Sequence, residues 1–141
     1  MAATRTASTH WEGNLFQGAG RVTFESSDLG THDVTWASRT EDPAGRTSPE
    51  ELIAAALSAC YCMAFSNVLD KAGTPPTSLD VQAAATFQPG EGVTGIRLVV
   101  RGTVPDMSED DFRAAAETGK ENCPVSQALK AVPITLDAAL A

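Results

Sequence analysis

Histidine is scarce in this chain and clustered positive charge is missing. The two histidines, His10 and His32, form no HExxH pattern, and no grouping of His, Cys or acidic residues has zinc-finger spacing, so no metal site is expected. Ten Lys and Arg stand against eighteen Asp and Glu, a formal net charge of −8 that repels nucleic-acid phosphates. No nucleic-acid partner is expected. A glycine-rich phosphate loop, a G-x-S-x-G elbow and a C-x-x-C pair are also absent, which removes the motifs of nucleotide binding, serine hydrolysis and thioredoxin-like exchange. The N-terminal "MAATRTASTHWEG" has no apolar stretch of the secretory kind, and the longest apolar run is shorter than the ~20 residues a bilayer span needs. A cytoplasmic protein without membrane attachment is the expectation.

What is present fits one ordinary globular domain spanning residues 1–141, with 43% hydrophobic and 20% charged residues. Period-two patterns come first: a weak strand in residues 4–11, then Val22 and Phe24, then Val34 and Trp36 with Arg39 ending that third strand. "TSPEEL" supplies a helix start, with Ser48 as N-cap, Pro49 at the first helical position and Glu51 closing a capping box. That helix runs to Asp70 or Lys71 and stops at Gly73. Two alternating segments, Leu79 to Phe87 and Ile96 to Val104, predict a hairpin across "QPGEGVT". Ser108 and Asp111 open a second helix, Pro124 a third, and Ile134 to Leu140 alternate as a last strand. The order is βββ-α-ββ-α-α-β, an α+β class with about six strands expected in one sheet.

The long helix is apolar on every side, which predicts burial on every side. One sheet and one polar helix cannot cover it, so a second copy of the chain is the expected cover, in an obligate homodimer.

Three cysteines are an odd number, and in a reducing compartment they suit reaction better than a structural disulfide framework. Cys60 and Cys62, two apart on a helix, point about 200° away from each other and cannot pair within it. Cys62 reads as a small buried hydrophobe. Cys123 precedes Pro124 and so falls at a helix N-terminus, where amide groups and the helix dipole favour a thiolate. Apolar surroundings alone would raise the Cys60 pKa, and Arg39 is the candidate cation to oppose that. Glu50, at the second helical position, has no local capping task. It lies ten residues from Cys60, about 15 Å of helix rise, so the two cannot touch within one chain.

"HWEG", the arginine of "SRTED", "SPEELIAAALSACYCMA", "ENCPVSQALKA" and "ITLDAAL" together resemble the OsmC and organic hydroperoxide resistance family, closer to the OsmC branch, over nearly the whole chain. The resemblance implies an intertwined homodimer with active sites at the subunit interface and no bound cofactor. It implies a cysteine-based peroxidase in which Cys60 attacks an organic hydroperoxide, Cys123 resolves the sulfenic acid, Arg39 holds the thiolate and Glu50 orients Arg39. It further implies recycling by an external dithiol, a lipoylated protein or a related small dithiol of the lipoyl type. Leu57, Met63 and Phe65 are candidates to hold the alkyl part of the substrate. Position favours Cys123 as the readier thiolate, whereas the resemblance assigns attack to Cys60. The alternative on the same fold is a dimeric ligand-binding or redox-sensing protein that does not turn over.

Overall fold

A computed structural model describes residues 1–141 as two compact units, Met1–Pro49 and Glu50–Ala141. In the first unit, β1 (Ser8–Glu12), β2 (Ala19–Thr23) and β3 (Thr31–Val34) form an antiparallel sheet in that order. Trp11 pairs across the ladder with Gly20 and covers it: a Cβ on Gly20 would stand 2.7 Å from the indole ring, so only glycine fits there.

The third strand is shorter than its alternation suggests. Trp36 and Arg39 are not in it; they belong to a short helix, α1 (Trp36–Thr40). The reason is a capping box at Thr35. Its hydroxyl accepts from the Ser38 amide at 3.0 Å while the Ser38 hydroxyl takes the Thr35 amide at 3.0 Å, which turns the chain into a helix one residue after Val34. The Ser38 hydroxyl also lies 2.9 Å from the Thr47 carbonyl, tying α1 to the returning loop, and Val34 forms a parallel bridge with Thr47. Arg39 lies over the Trp36 ring, 5.9 Å from its centroid.

The second unit is built on α2 (Pro49–Lys71), which starts at the proline and ends where the sequence places its stop. Gly73 has φ +80°, the Thr74 amide donates to the Leu69 carbonyl and the Gly73 amide to that of Asp70. This is a Schellman motif, in which the left-handed glycine lets two terminal carbonyls find donors. Next come β4 (Ser78–Gln88) and β5 (Gly92–Thr103), an antiparallel hairpin, then α3 (Glu109–Asn122), α4 (Pro124–Ala128) and β6 (Ile134–Leu140). β6 returns to pair in parallel with β5, giving the order β4-β5-β6. The six strands therefore form two three-stranded sheets rather than one, and α1 adds a helix to the expected βββ-α-ββ-α-α-β order.

The core of this unit follows from two periods. Leu57, Tyr61, Phe65 and Leu69 recur every fourth residue on one face of α2, while Ile96, Leu98 and Val100 alternate on β5; they bury one another together with Phe112 and Ala116 of α3. The 23-residue α2 is long and apolar enough to cross a membrane by length and composition, a test that the core helix of a soluble protein also passes. Its every-fourth-residue face is nevertheless the fully buried centre of this core. The opposite face is not covered within the chain: Ala55, Ala59 and Met63 are exposed, Met63 by 73%. Burial on every side is thus not achieved by one copy.

Candidate functional site

Cys60 and Cys123 come together in the second unit. Cys60 is carried on α2 next to Tyr61, whose hydroxyl donates to the Ala116 carbonyl of α3 at 2.8 Å. One turn further along, Phe65 meets α3 where Gly119 leaves room; a Cβ there would stand 3.1 Å from the Phe65 Cβ. The Phe65 and Phe112 rings pack edge to face at 5.2 Å. These contacts hold α2 close to α3, and α3 ends at Cys123.

Cys123 is the hinge between two helices. Its amide donates to the Lys120 carbonyl, closing α3, and its extended backbone, φ −75° and ψ 115°, leads into Pro124 and α4. Proline imposes that extended conformation on the residue before it. The thiol makes no side-chain capping bond to α4; Cys123 belongs to the buried core against which Cys60 packs, and each thiol influences the other's protonation. Both are free thiols, Cys123 fully buried and Cys60 half-buried.

The two thiols differ in electrostatics. Burial pushes Cys60 up; the Val125 amide pulls it down, but the hydrogen bond with Cys123 and the charge of a Cys123 thiolate push it up again. Burial also acts upward on Cys123, yet there the Ser126 hydroxyl and amide, the Cys60 thiol and the Val125 amide outweigh it, and the pKa falls below the ordinary thiol value. The lowering falls on Cys123, the cysteine that its position at a helix N-terminus favours, and not on Cys60. Cys62, half-buried and turned away on the helix, is pushed up by burial and by the nearby Asp80 carboxylate.

The other expected site residues stand on other parts of the chain. Glu50 stands in the first turn of α2, only 7% exposed, and Arg39 is half-buried on α1 in the first unit. The three apolar candidates do not share one wall. Leu57 and Phe65 are core residues with no exposed surface, because they lie on the every-fourth-residue face of α2, while Met63 projects from the opposite face. A hollow of about 360 Å³ in the second unit is lined by Lys120, Glu121, Ser126, Gln127, Lys130, Val132, Pro133 and Ile134. Another, of about 290 Å³ in the first unit, is lined by His10, Glu12, Arg21, Asp33 and Arg46 among others and contains none of the candidate residues. No three His, Cys, Asp or Glu side chains converge as metal ligands. Ser126, which the sequence did not single out, is buried, and its Oγ has no hydrogen-bond partner while Cys123 is a thiol; only as a thiolate does Cys123 draw on that hydroxyl.

This geometry has relatives. The OsmC-like protein family matches residues 41–137, a span that includes Glu50, Cys60 and Cys123 and begins two positions after Arg39. Peroxiredoxin OsmC of Escherichia coli (strain K12) is 39% identical over 140 residues, which cover 97% of this chain and 96% of the relative. An organic hydroperoxide resistance protein from Elizabethkingia anophelis superposes with a TM-score of 0.72 at 20% identity over 100% of both chains. One from Legionella pneumophila does so with a TM-score of 0.71 at 20% identity, over 99% of this chain and 98% of the other. With the family match covering more than half of the residues and a relative this similar along almost the entire length, the chain belongs to the OsmC family.

Proposed function

We propose that this protein is a thiol-dependent peroxidase that reduces organic hydroperoxides to alcohols and works as a homodimer in the cytoplasm. The observation that carries the reading is that Cys60 packs against the buried core holding Cys123, beside the α2–α3 contact, so that each thiol perturbs the other. Kinship with Peroxiredoxin OsmC supports the same chemistry.

In the cycle, the Cys60 thiolate attacks the outer oxygen of the hydroperoxide; the O–O bond breaks, the alcohol leaves with a proton, and Cys60 becomes a sulfenic acid. Cys123 attacks that sulfur as a thiolate and expels hydroxide, forming the Cys60–Cys123 disulfide. An external dithiol, a lipoylated protein or a related small dithiol, reduces it. Because burial pushes Cys60 up, its role as the attacking sulfur calls for a cation. We assign that task to Arg39, which would also stabilise the developing alkoxide, and the orientation of Arg39 to Glu50. A carboxylate as buried as Glu50 needs charged or hydrogen-bonding company, which suits that assignment. The exposed Ala55–Ala59–Met63 face of α2 supports a second copy as its cover, with Met63 the one apolar candidate placed to meet substrate there.

The test is peroxide consumption by the purified protein with dihydrolipoamide, comparing cumene hydroperoxide with hydrogen peroxide. Multiple turnovers favouring the organic peroxide are expected. Cys60→Ser should abolish turnover, and Cys123→Ser should permit one oxidation and leave Cys60 as a sulfenic acid that dimedone labels. The opposite pattern would exchange the two roles, and one oxidation followed by silence with every dithiol tried would identify a sensor.

A further inference from the structure

Ser126 is 6% exposed, and its Oγ is the one buried side-chain oxygen or nitrogen in the chain without a hydrogen-bond partner. A hydroxyl left unpaired in a protein interior is costly, so a state of the molecule that supplies its partner is favoured relative to one that does not. The group it can serve is close by: Cys123 lies three residues earlier, one turn back at the N-cap of α4, and a thiolate there is an acceptor for the Ser126 O–H. The two sulfurs of the site also differ in access. Cys123 has no exposed surface, whereas Cys60 is half-buried. An incoming thiolate must approach the sulfur it attacks along the S–S axis, from the side away from the leaving sulfur. Such an approach is closed at Cys123.

We propose that Ser126 is a positioning residue for the reduction half of the cycle: its unpartnered hydroxyl waits for the Cys123 thiolate, so the reducing dithiol attacks Cys60 and Cys123 is the sulfur that leaves. This rests on the peroxidase reading for its disulfide. The reductant's thiolate forms a new S–S bond to Cys60 as the Cys60–Cys123 bond breaks, and the electron pair goes to Cys123, where Ser126 and the Val125 amide receive it. The second thiol of the reductant then attacks its own sulfur in the mixed disulfide, releasing Cys60 as a thiolate and leaving the reductant as a cyclic disulfide. Two electrons pass from the dithiol to the protein, and the two thiol protons are released or taken up by the cysteines. A lower pKa makes a thiol leave faster, which agrees with this direction.

The experiment uses the full chain with Cys62→Ser to remove the third thiol. The protein is oxidised with diamide, exposed to 2-mercaptoethanol, quenched with acid and N-ethylmaleimide, and mapped by peptide mass. The adduct is expected on Cys60 with maleimide on Cys123; an adduct on Cys123 overturns the proposal. Ser126→Ala breaks no hydrogen bond while Cys123 is a thiol, so it should fold. It should slow reduction of the disulfide by dihydrolipoamide about three- to tenfold, the effect of losing one hydrogen bond to a charged leaving group. That loss should exceed any loss in the rate of Cys60 oxidation. In a Cys60→Ser background the same change should move the thiolate ultraviolet absorbance of Cys123 to higher pH. Unchanged reduction and an unmoved titration would overturn the role of Ser126. If diamide forms no disulfide, this proposal and the Cys60–Cys123 pairing fall together. A disulfide that maps as expected in a protein that does not turn over peroxide supports the proposal and removes the peroxidase reading alone.

Discussion

Replacing Tyr61 with Phe should destabilise the protein at neutral pH and stabilise it at strongly alkaline pH. Tyr61 is fully buried between α2 and α3, and its hydroxyl donates to the Ala116 carbonyl at 2.8 Å. Ala116 sits in the interior of α3, so its carbonyl keeps its helical acceptor bond when the hydroxyl goes. The neutral-pH loss is therefore the net value of one buried hydrogen bond, about 1 kcal/mol. Burial, followed by the negative charges of Glu117, Cys62 and Cys123, pushes the Tyr61 pKa far above the ordinary phenol value. The sign follows from the unfolded chain. Below about pH 10 the phenol is protonated in both states, and its contribution to stability is complete. Above that pH the unfolded chain releases the proton while the folded protein retains it, and wild-type stability falls by about 1.4 kcal/mol per pH unit. The Phe variant lacks this group, so the loss of about 1 kcal/mol is cancelled near pH 11 and the order of stabilities reverses above it. Urea unfolding of both proteins at pH 7, 10 and 11.5, under reducing conditions, measures the difference directly, because every other titrating group is common to the two. A stability difference that stays constant across this range would refute the buried, proton-retaining Tyr61.

Two further outcomes bear on the fold and the site. Gly102→Ala places a methyl group 2.8 Å from two ring carbons of the fully buried Phe112 and 2.9 Å from a Leu79 methyl. Overpacking of that kind costs about 1–3 kcal/mol against less than about 1 kcal/mol gained by stiffening a strand glycine, so the urea midpoint should fall; an equal or higher midpoint contradicts the packing. Arg39→Gln in a protein carrying Cys62→Ser and Cys123→Ser should move the Cys60 thiolate absorbance to higher pH. In the protein with all three cysteines it should slow peroxide reduction by about a hundredfold, the scale of losing one electrostatic stabiliser of a developing oxyanion. If neither changes, Arg39 is not the cation that serves Cys60.

Much of the second unit could be read from the sequence because each of its elements carries a local signal that agrees with its tertiary role. Pro49 and Gly73 mark the ends of α2, the alternation in β4 and β5 matches their buried and exposed faces, and Ser108 and Pro124 start α3 and α4 where they stand. The first unit was misread at Trp36 because Val34 and Trp36 share a parity that imitates a strand, while the overriding signal was a Thr35–Ser38 box in which serine replaces the usual Glu or Gln. Alternation also says which face of a strand is buried but not which sheet the strand joins, and six strands became two sheets for that reason. The site was less legible still. Leu57 and Phe65 were grouped with Met63 as one apolar wall, yet eight positions separate the first two and put them on one face, while Met63 falls near the opposite one. No spacing rule brings residue 60 to residue 123; that contact comes from α2 pressing against α3 through Tyr61, Phe65 and the space at Gly119, all of which look like ordinary core residues in a linear chain. Ser126 left no trace because a serine near a helix end is usually a solvated cap, and only burial with an unpaired oxygen sets it apart. In the proposed cycle the chemistry therefore rests on packing: the α2–α3 contact that forms the core also sets how Cys60 and Cys123 stand toward each other. Substitutions that loosen the α2–α3 contact should slow disulfide formation before they unfold the chain.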